Sequence, residues 1–360
     1  MKGPIVLSAG GTGGHLFPAQ ALAGELTRRG HGIVVMTDAR FANYATSFPG
    51  SRIEPVPSAP LNSLLAPFKI VAGVLLATAK LLRLKPAAVI GFGGYPSVPV
   101  MLAAIIARLP TAIIEQNAVV GRANRLVMNH VRRVAAAFPI ARFAPRDRSK
   151  IVLTGNPLRP EVIALWGAAY EAPSADGVLH LLVFGGSQGA RALSEVVPAA
   201  ITRLPDALKS RLSIVQQCRP EDMDKVRDAY AQANVRAELK PFFHDMPQRM
   251  AEAQLVIGRS GAGTVSELMA IGRPAILVPL PHALDDNQTP NAEILSHAGA
   301  GWTVAQRDLR ADGLAGMLTE IFAAPSDLAM RAAKAHSLAT PGATQKLADM
   351  VEQLSQRSAA

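Results

Sequence analysis

Short apolar runs alternate with segments of helical period along the whole chain. Residues 5–9, 33–37, 88–90, 111–114 and 133–137 read as buried strands in the first half, and 179–184, 213–218, 255–258, 275–280 and 301–304 in the second. Between them, apolar positions recur every three to four residues, as on one face of a helix. Strands that alternate with helices build parallel sheets covered on both faces, and ligands of such sheets bind at the carboxyl ends of the strands. The halves also resemble each other. Ile5-Val6-Leu7-Ser8-Ala9 runs into Gly10-Gly11-Thr12-Gly13-Gly14, and Leu181-Leu182-Val183-Phe184 runs into Gly185-Gly186-Ser187-Gln188-Gly189, 175 residues later. The pattern predicts two tandem nucleotide-type α/β domains, residues 1–157 and 158–340. The boundary falls near Gly155-Asn156-Pro157-Leu158-Arg159-Pro160, where two prolines stop regular structure. A last helix over 341–357 follows the break at Thr340-Pro341-Gly342 and has the length to return and pack on the first domain.

The stretch 64–84 is apolar enough to raise the question of a membrane span. Pro67, Lys69, Lys80 and Arg83 interrupt it, whereas a spanning helix needs about 20 residues with few or no charges. Two readings stand side by side. One is an ordinary crossover helix packed on the sheet. The other is a helix lying on an anionic membrane, with Ile70, Val71, Val74, Leu75, Leu81 and Leu82 as its apolar face and Lys69, Lys80, Arg83 and Lys85 reaching the headgroups.

Charge adds a division that the pattern does not show. The 360 residues carry 37 Lys+Arg against 27 Asp+Glu, a net charge of +10. Residues 1–150 hold 18 basic and 5 acidic side chains, whereas 151–360 hold 19 and 22, so a +13 half precedes a −3 half. A half so basic asks for an anionic partner: nucleic acid, membrane surface or phosphorylated substrate. Aromatic residues are only 5% of the chain and no zinc-finger or RNP-type motif is present, which argues against nucleic acid. The lone Cys218 excludes an intrachain disulfide framework and a cysteine zinc site, and fits a reducing compartment. The amino terminus is too short of apolar residues before the glycine cluster for a secretory signal.

Four glycine-bearing turns follow predicted strands. In Gly10-Gly11-Thr12-Gly13-Gly14-His15 the glycines allow backbone N–H groups to approach a ligand closely, and the helix that follows aims its dipole and free amides at the same point. The spacing is neither the dinucleotide fingerprint, which would need glycine where Leu16 stands, nor a P-loop. Gly91-Phe92-Gly93-Gly94-Tyr95-Pro96-Ser97, residues 185–189 and Arg259-Ser260-Gly261-Ala262-Gly263-Thr264 are the other three. Together they describe a cleft lined with amide donors, suited to two phosphate-bearing ligands, one per domain.

Several side chains near these turns admit two roles. His15, at a helix start, is biased toward the neutral imidazole of a general base, or simply bonds nearby backbone. Glu115, in Glu115-Gln116-Asn117, is a second base or a partner for Arg122 or Arg125. Arg159 clamps a phosphate or stays solvated. Thr264-Val265-Ser266-Glu267 reads as a capping box with Thr264 as N-cap, and Glu267 alternatively accepts hydrogen bonds from ribose hydroxyls. Asp222-Met223-Asp224 has the form of a metal-binding acid pair but reads as the first turn of a helix, and the histidines show no ligand spacing.

Taken together, residues 10–15, 91–97, 115–117, 155–159, 185–191, 259–267 and 286–292 resemble the ordered motifs of the bacterial MurG-type glycosyltransferases, over nearly the whole chain. The resemblance implies a GT-B fold, two Rossmann-like parallel-sheet domains facing a deep cleft. The first domain would bind the undecaprenyl-linked acceptor, lipid I, and the second UDP-N-acetylglucosamine (UDP-GlcNAc). The implied reaction is inverting transfer of GlcNAc to the 4-hydroxyl of the muramoyl sugar, giving lipid II for peptidoglycan, the cell wall polymer. By the same resemblance Thr12, Gly13, Gly14 and Asn117 lie on the donor-sugar side. Arg159 and Ser187 hold the diphosphate, and Phe243 offers backbone contacts to uracil. Ala262, Gly263, Thr264, Val265 and Ser266 bring a helix start to the phosphates, Glu267 binds ribose and Gln288 the GlcNAc hydroxyls. Gly93, Gly94 and Tyr95 form the acceptor pyrophosphate loop. No tightly bound cofactor and no catalytic metal are implied. The expected location is peripheral, on the cytoplasmic face of the inner membrane, with cell-wall assembly proteins as further partners.

Two departures from the family pattern matter. Ile114 stands where a histidine often precedes Glu-Gln-Asn, which excludes a base there, and the apolar patch lacks tryptophan and depends on aliphatics and Phe68. His15 is the first candidate for the base and Glu115 the second, and the resemblance does not choose between them. Two other readings keep part of the picture: another UDP-sugar enzyme of the same fold (a glycolipid synthase or a UDP-GlcNAc epimerase), or a non-catalytic nucleotide-sugar-binding protein. The basic first domain, with its own anion loop, weighs against the last.

Overall fold

The computed structural model describes residues 3–10, 13–38, 48, 50–59, 66–186 and 190–356. Thr12 and Ser187 lie outside the described residues, as do Leu64 and Leu65 of the apolar stretch and Arg357 of the last predicted helix. The chain divides into two compact units, Met1–Arg159 with Thr340–Ala360, and Pro160–Ala339.

Unit 1 is built on seven parallel strands: β1 (Ile5–Ser8), β2 (Ile33–Thr37), β3 (Arg52–Pro55), β4 (Ala88–Gly91), β5 (Thr111–Glu115), β6 (Arg133–Ala136) and β7 (Ile151–Leu153). Their order is β3-β2-β1-β4-β5-β6-β7, so strand order reverses between β1 and β4. One face of the sheet is covered by helix Gly13–Arg28 and the returning helix Ala343–Gln356. Leu22 and Leu26 of the first meet Leu347, Val351 and Leu354 of the second over Ile5, Leu7 and Ile90. Arg29 ties the pair together, donating to Glu25 (2.7 Å), Asp349 (2.6 Å) and Glu352 (2.8 Å). The return passes so close to residue 155 that a Cβ there would stand 2.6 Å from Thr340 Cβ, and the backbone has φ +78°. Both facts require Gly155.

The other face of the sheet is covered by helices Ala66–Leu84, Ser97–Ile106 and Arg122–Val127, with Ala77, Leu81, Met101 and Val127 in its core. Helix Ala66–Leu84 buries a line four residues apart, Gly73, Ala77 and Leu81. Its opposite side leaves Phe68 (75% exposed), Val71 (59%), Leu75 (68%) and Leu82 (61%) in solvent. Two members of the patch expected from the sequence are corrected here. Leu81 points into the core, because 100° per residue turns it away from Leu82, and Lys80 is held by Glu54 and by the carbonyl of Pro55 (3.2 Å). Among the described residues no helix is long and apolar enough to cross a membrane.

Unit 2 has six parallel strands: β8 (Leu179–Phe184), β9 (Leu212–Gln217), β10 (Arg236–Lys240), β11 (Leu255–Gly258), β12 (Ala275–Leu277) and β13 (Gly301–Thr303). Their order is β10-β9-β8-β11-β12-β13, with the reversal between β8 and β11. β12 is shorter than the apolar run 275–280 predicts, because Pro279 cannot donate to a ladder.

Candidate functional site

In each unit the strand register brings two glycine turns side by side at the reversal point. Ser8 of β1 pairs with Gly91 of β4, so the turns that follow leave the sheet together. Phe184 of β8 pairs with Gly258 of β11 to the same effect. Open α/β sheets bind ligands at this point because neighbouring loops diverge there and leave a crevice.

Where the unit 1 turns meet, Gly10 and Gly94 are packed without spare room. A Cβ at position 94 would come within 2.7 Å of the Gly10 carbonyl oxygen, and one at position 10 within 2.9 Å of Pro96 Cγ. Gly93 (φ +84°) and Gly94 (φ +72°) both lie in the left-handed region, so only glycine holds this loop without strain. Helix Gly13–Arg28 starts in the first turn, with Gly14 exposed and His15 half-buried. A Cβ on Gly93 would lie 3.3 Å from His15 Nε2 and 3.4 Å from Asn124 Nδ2, which puts the imidazole directly against the second turn. Burial pushes the His15 pKa down to about 4, so the ring is neutral near pH 7. Desolvation, rather than the helix dipole expected from the sequence, is the cause of the neutral form.

Glu115 ends β5 and is buried (1% exposed). Its Oε1 accepts from the Asn117 N–H (3.0 Å) and Asn117 Nδ2 (3.3 Å), and its Oε2 from the Gly121 N–H (2.9 Å) and Asn124 Nδ2 (2.9 Å). Burial raises its pKa while these four donors oppose the rise. The expectation of a partnership with Arg122 or Arg125 is therefore replaced. The carboxylate organises amides, and the Arg125 guanidinium stacks on the Phe143 ring at 4.2 Å. Asn124 joins the strand end to this loop through the carbonyl of Ile114 (3.0 Å), and Gln116 Nε2 donates to the carbonyl of Phe92 (3.1 Å), linking β5 to the glycine turn after β4. Tyr95 donates its hydroxyl to Asp38 Oδ2 (3.1 Å). Asn124 and Asp38 were missed in the sequence, and Gln116 was noted only as part of its motif, because an amide or carboxylate in a loop carries no periodic signal. Arg159 sits over the Phe17 ring at 5.3 Å.

In unit 2, Gly186 (φ +81°) follows β8, and Arg259, Ser260 and Gly261 follow β11. Helix Ala262–Ile271 begins with Gly261 as N-cap, with no side-chain cap and no acid in its first turn. The capping box expected at Thr264 is overturned, because Thr264 is the helix's third residue and Glu267 its sixth. The amide end of the helix, at Ala262, Gly263 and Thr264, is thereby kept for something other than a side chain of its own. Val265 is buried, and the Ser266 hydroxyl donates back to the Ala262 carbonyl (2.8 Å).

Ser260 fixes the turn from two sides, donating to the Gln288 carbonyl (2.8 Å) and accepting at its own carbonyl from Asn291 Nδ2 (3.1 Å). Gln288 opens helix Gln288–His297, and its side-chain oxygen accepts from the Leu280 N–H (3.0 Å). Arg259, 8% exposed, braces the same turn through the carbonyls of Val278 (3.0 Å) and Pro279 (3.2 Å) and through Gln306 Oε1 (2.6 Å). Phe243 follows β10 and is buried between the cations of Lys240 (5.4 Å) and Arg249 (4.9 Å). Asp222 and Asp224 pair with Arg219 (3.1 Å) and Arg227 (2.5 Å) at a helix start. Among the described residues no group of three or more His, Cys, Asp or Glu is arranged to hold a metal.

Residues 5–136 match the glycosyltransferase family 28 N-terminal domain and residues 180–354 its C-terminal domain. A protein of Chelativorans sp. named UDP-N-acetylglucosamine--N-acetylmuramyl-(pentapeptide) pyrophosphoryl-undecaprenol N-acetylglucosamine transferase is 51% identical over 97% of this chain and 94% of its own. One of the same name from Rhodospirillum centenum is 48% identical, over 97% and 93%. The crystal structure of Acinetobacter baumannii MurG superposes with a TM-score of 0.83 at 33% identity, over 98% of this chain and 100% of that one. The chain belongs to the MurG family. Its fold is accordingly GT-B, with two Rossmann-like parallel-sheet domains. A calicheamicin glycosyltransferase shares that fold at 19% identity and a TM-score of 0.68.

Proposed function

We propose that unit 2 holds the nucleotide-sugar donor, that unit 1 holds the lipid-linked acceptor, and that His15 is the base. The chain is an N-acetylglucosaminyltransferase that moves GlcNAc from UDP-GlcNAc to lipid I, giving lipid II. Membership in the MurG family carries that reaction, and the roles of individual residues are proposed from the resemblance of their motifs to that family, with the geometry of each unit as support where the residue is described.

In unit 2 the uncapped start of helix Ala262–Ile271 faces the diphosphate, with Ala262, Gly263 and Thr264 as amide donors and Val265 and Ser266 seating the turn beneath them. Oriented amides stabilise charge as it develops on departing UDP, with no tightly bound cofactor needed. Ser187 completes the phosphate contacts of unit 2, and Arg159, the last residue of unit 1 before the boundary, is assigned to the diphosphate by the resemblance alone. Glu267 accepts from the ribose, the backbone at Phe243 reads uracil, and Gln288, whose oxygen is engaged by Leu280, offers its Nε2 to GlcNAc hydroxyls. In unit 1, Thr12, Gly13, Gly14 and Asn117 approach the donor sugar, and Gly93, Gly94 and Tyr95 cradle the acceptor pyrophosphate. The muramoyl 4-hydroxyl attacks the anomeric carbon from the face opposite UDP and passes its proton to neutral His15 as the C–O bond forms. Glu115 serves by organising amides, both of its oxygens being engaged. The exposed face of Phe68, Val71, Leu75 and Leu82, flanked by Lys69 and Arg83, rests on the anionic cytoplasmic surface of the inner membrane, which makes the enzyme peripheral and gives assembly proteins access to it.

A water-soluble lipid I analogue with labelled UDP-GlcNAc tests this reading. Transfer of label to the analogue is expected. Release of an epimerised free sugar, or donor binding without turnover, would overturn it.

A further inference from the structure

We infer that Asp38 is a positioning residue for the acceptor, acting through the hydroxyl of Tyr95. The inference rests on the reading of residues 93–95 as the acceptor loop. Asp38 follows the last residue of β2, beside β1, whose last residue Ser8 leads into Gly10, and is 4% exposed. Its Oδ2 accepts from Tyr95 Oη at 3.1 Å and from Ser58 Oγ at 3.4 Å. Tyr95 stands immediately after two glycines at positive φ. Glycines have no side chains with which to anchor themselves, so the loop takes its position from what holds its neighbours. On one side of the pair, Gly91 and Phe92 are held by the sheet: Gly91 pairs with Ser8, and the Phe92 N–H donates to the Ser8 carbonyl (2.8 Å). On the other, the Tyr95 hydroxyl is held by Asp38. Between these anchors Gly94 lies against the Gly10 carbonyl and Gly93 against His15 Nε2.

A hydrogen bond to a carboxylate is roughly twice as strong as one between neutral groups. Together with Ser97, whose hydroxyl donates to the Gly94 carbonyl (2.9 Å), the carboxylate sets the distance between the acceptor loop and the base, without itself touching the reacting atoms. Asp38 is one of only five acids in residues 1–150, and its place at this loop is explained by that role.

The test uses D38A, D38N, Y95F and the double variant D38A/Y95F, with steady-state kinetics on a lipid I analogue and calorimetric titration of UDP-GlcNAc. D38A and Y95F are each expected to raise the acceptor KM about tenfold, the factor that corresponds to losing one such bond, while donor affinity stays as in the wild type. D38N retains an acceptor oxygen and is expected to fall between wild type and D38A. The double variant is expected to be no worse than D38A alone, since both substitutions break the Tyr95–Asp38 bond and D38A also releases Ser58. D38N also keeps the volume of the buried side chain, so it reads the effect should D38A fail to fold. An unchanged acceptor KM in D38N together with D38A, effects that multiply in the double variant, or a parallel loss of donor affinity would overturn the inference and leave the transferase reading standing. Absence of transfer by the wild-type chain would overturn that reading and this inference with it.

Discussion

The two units share strand order, a reversal point and paired glycine turns, yet they hold those turns in opposite ways. In unit 1 side chains do the bracing. Glu115 gathers four N–H groups, Asn124 and Gln116 bridge β5 to its neighbours, and Asp38 anchors Tyr95. In unit 2 the functional end is bare backbone, an uncapped helix start, and the bracing lies behind it in Arg259 and in the exchange among Ser260, Gln288 and Asn291. A turn that carries a reactive side chain has to fix that side chain to within a fraction of an ångström. A turn that presents amides gets its geometry from the helix itself. On the proposed assignment, the same supersecondary unit serves as a chemical site in one half and as an anion receptor in the other.

The contrast is broken most severely by His15→Ala. Loss of a general base costs 10²- to 10⁴-fold in typical cases, so kcat should fall by about that much while UDP-GlcNAc binding in unit 2 is retained. Near-normal turnover would remove His15 as the base. Next in size is Glu115→Gln, which places an NH2 group against two of four N–H donors. It should lower unfolding free energy by about 2–4 kcal/mol, read by urea denaturation, with acceptor turnover falling and the donor Kd nearly unchanged. The matching change in unit 2, Arg259→Met, should instead raise the donor Kd and leave acceptor KM alone.

A pH experiment sharpens the same comparison. His15 has its folded-state pKa lowered from 6.5 to about 4, so the unfolded chain binds that proton first as pH falls. The stability associated with neutral His15 is present above about pH 6.5 and is lost as pH falls toward 4. The loss is at most about 3 kcal/mol, and less because the ring keeps some solvent contact. Wild type should therefore lose stability relative to His15→Gln over that window, and an identical pH dependence for the two would contradict the buried ring. The smallest effect is at the surface. Charge reversal of Lys69 and Arg83 should weaken binding to anionic vesicles by about 1 kcal/mol per charge, and Lys80→Glu should act chiefly by breaking its pair with Glu54.

The strands missing from the sequence reading teach a common lesson. β3, β7 and β10 each stand at the edge of a sheet. An edge strand is only partly covered, so Arg52-Ile53-Glu54-Pro55 and Arg236-Ala237-Glu238-Leu239-Lys240 carry polar residues where a central strand has none, and Ile151–Leu153 is too short to stand out. The site divides in the same manner. The glycine turns, His15 and Glu115 stood out in the sequence because each is a particular residue type at a fixed distance from a strand. Whether Glu115 meets arginines or amides, and whether Thr264 caps a helix or lies inside one, depends on partners 6 to 9 residues away or on where the first turn closes, and spacing alone does not distinguish them.

By itself, then, the sequence determined the architecture. Apolar period fixed the central strands, the 175-residue repeat gave two nucleotide-type halves, and the ordered motifs pointed to the family. These are properties of burial and backbone conformation, which local residue type dictates. Only the tertiary structure decided which groups touch. It set His15 against Gly93, replaced Glu115's expected arginines with four amide donors, turned Leu81 inward from the apolar patch, and brought Asp38 to Tyr95 across 57 residues of chain. Such contacts are made by side chains from different elements, and their distances follow from sheet register and packing rather than from position in the chain.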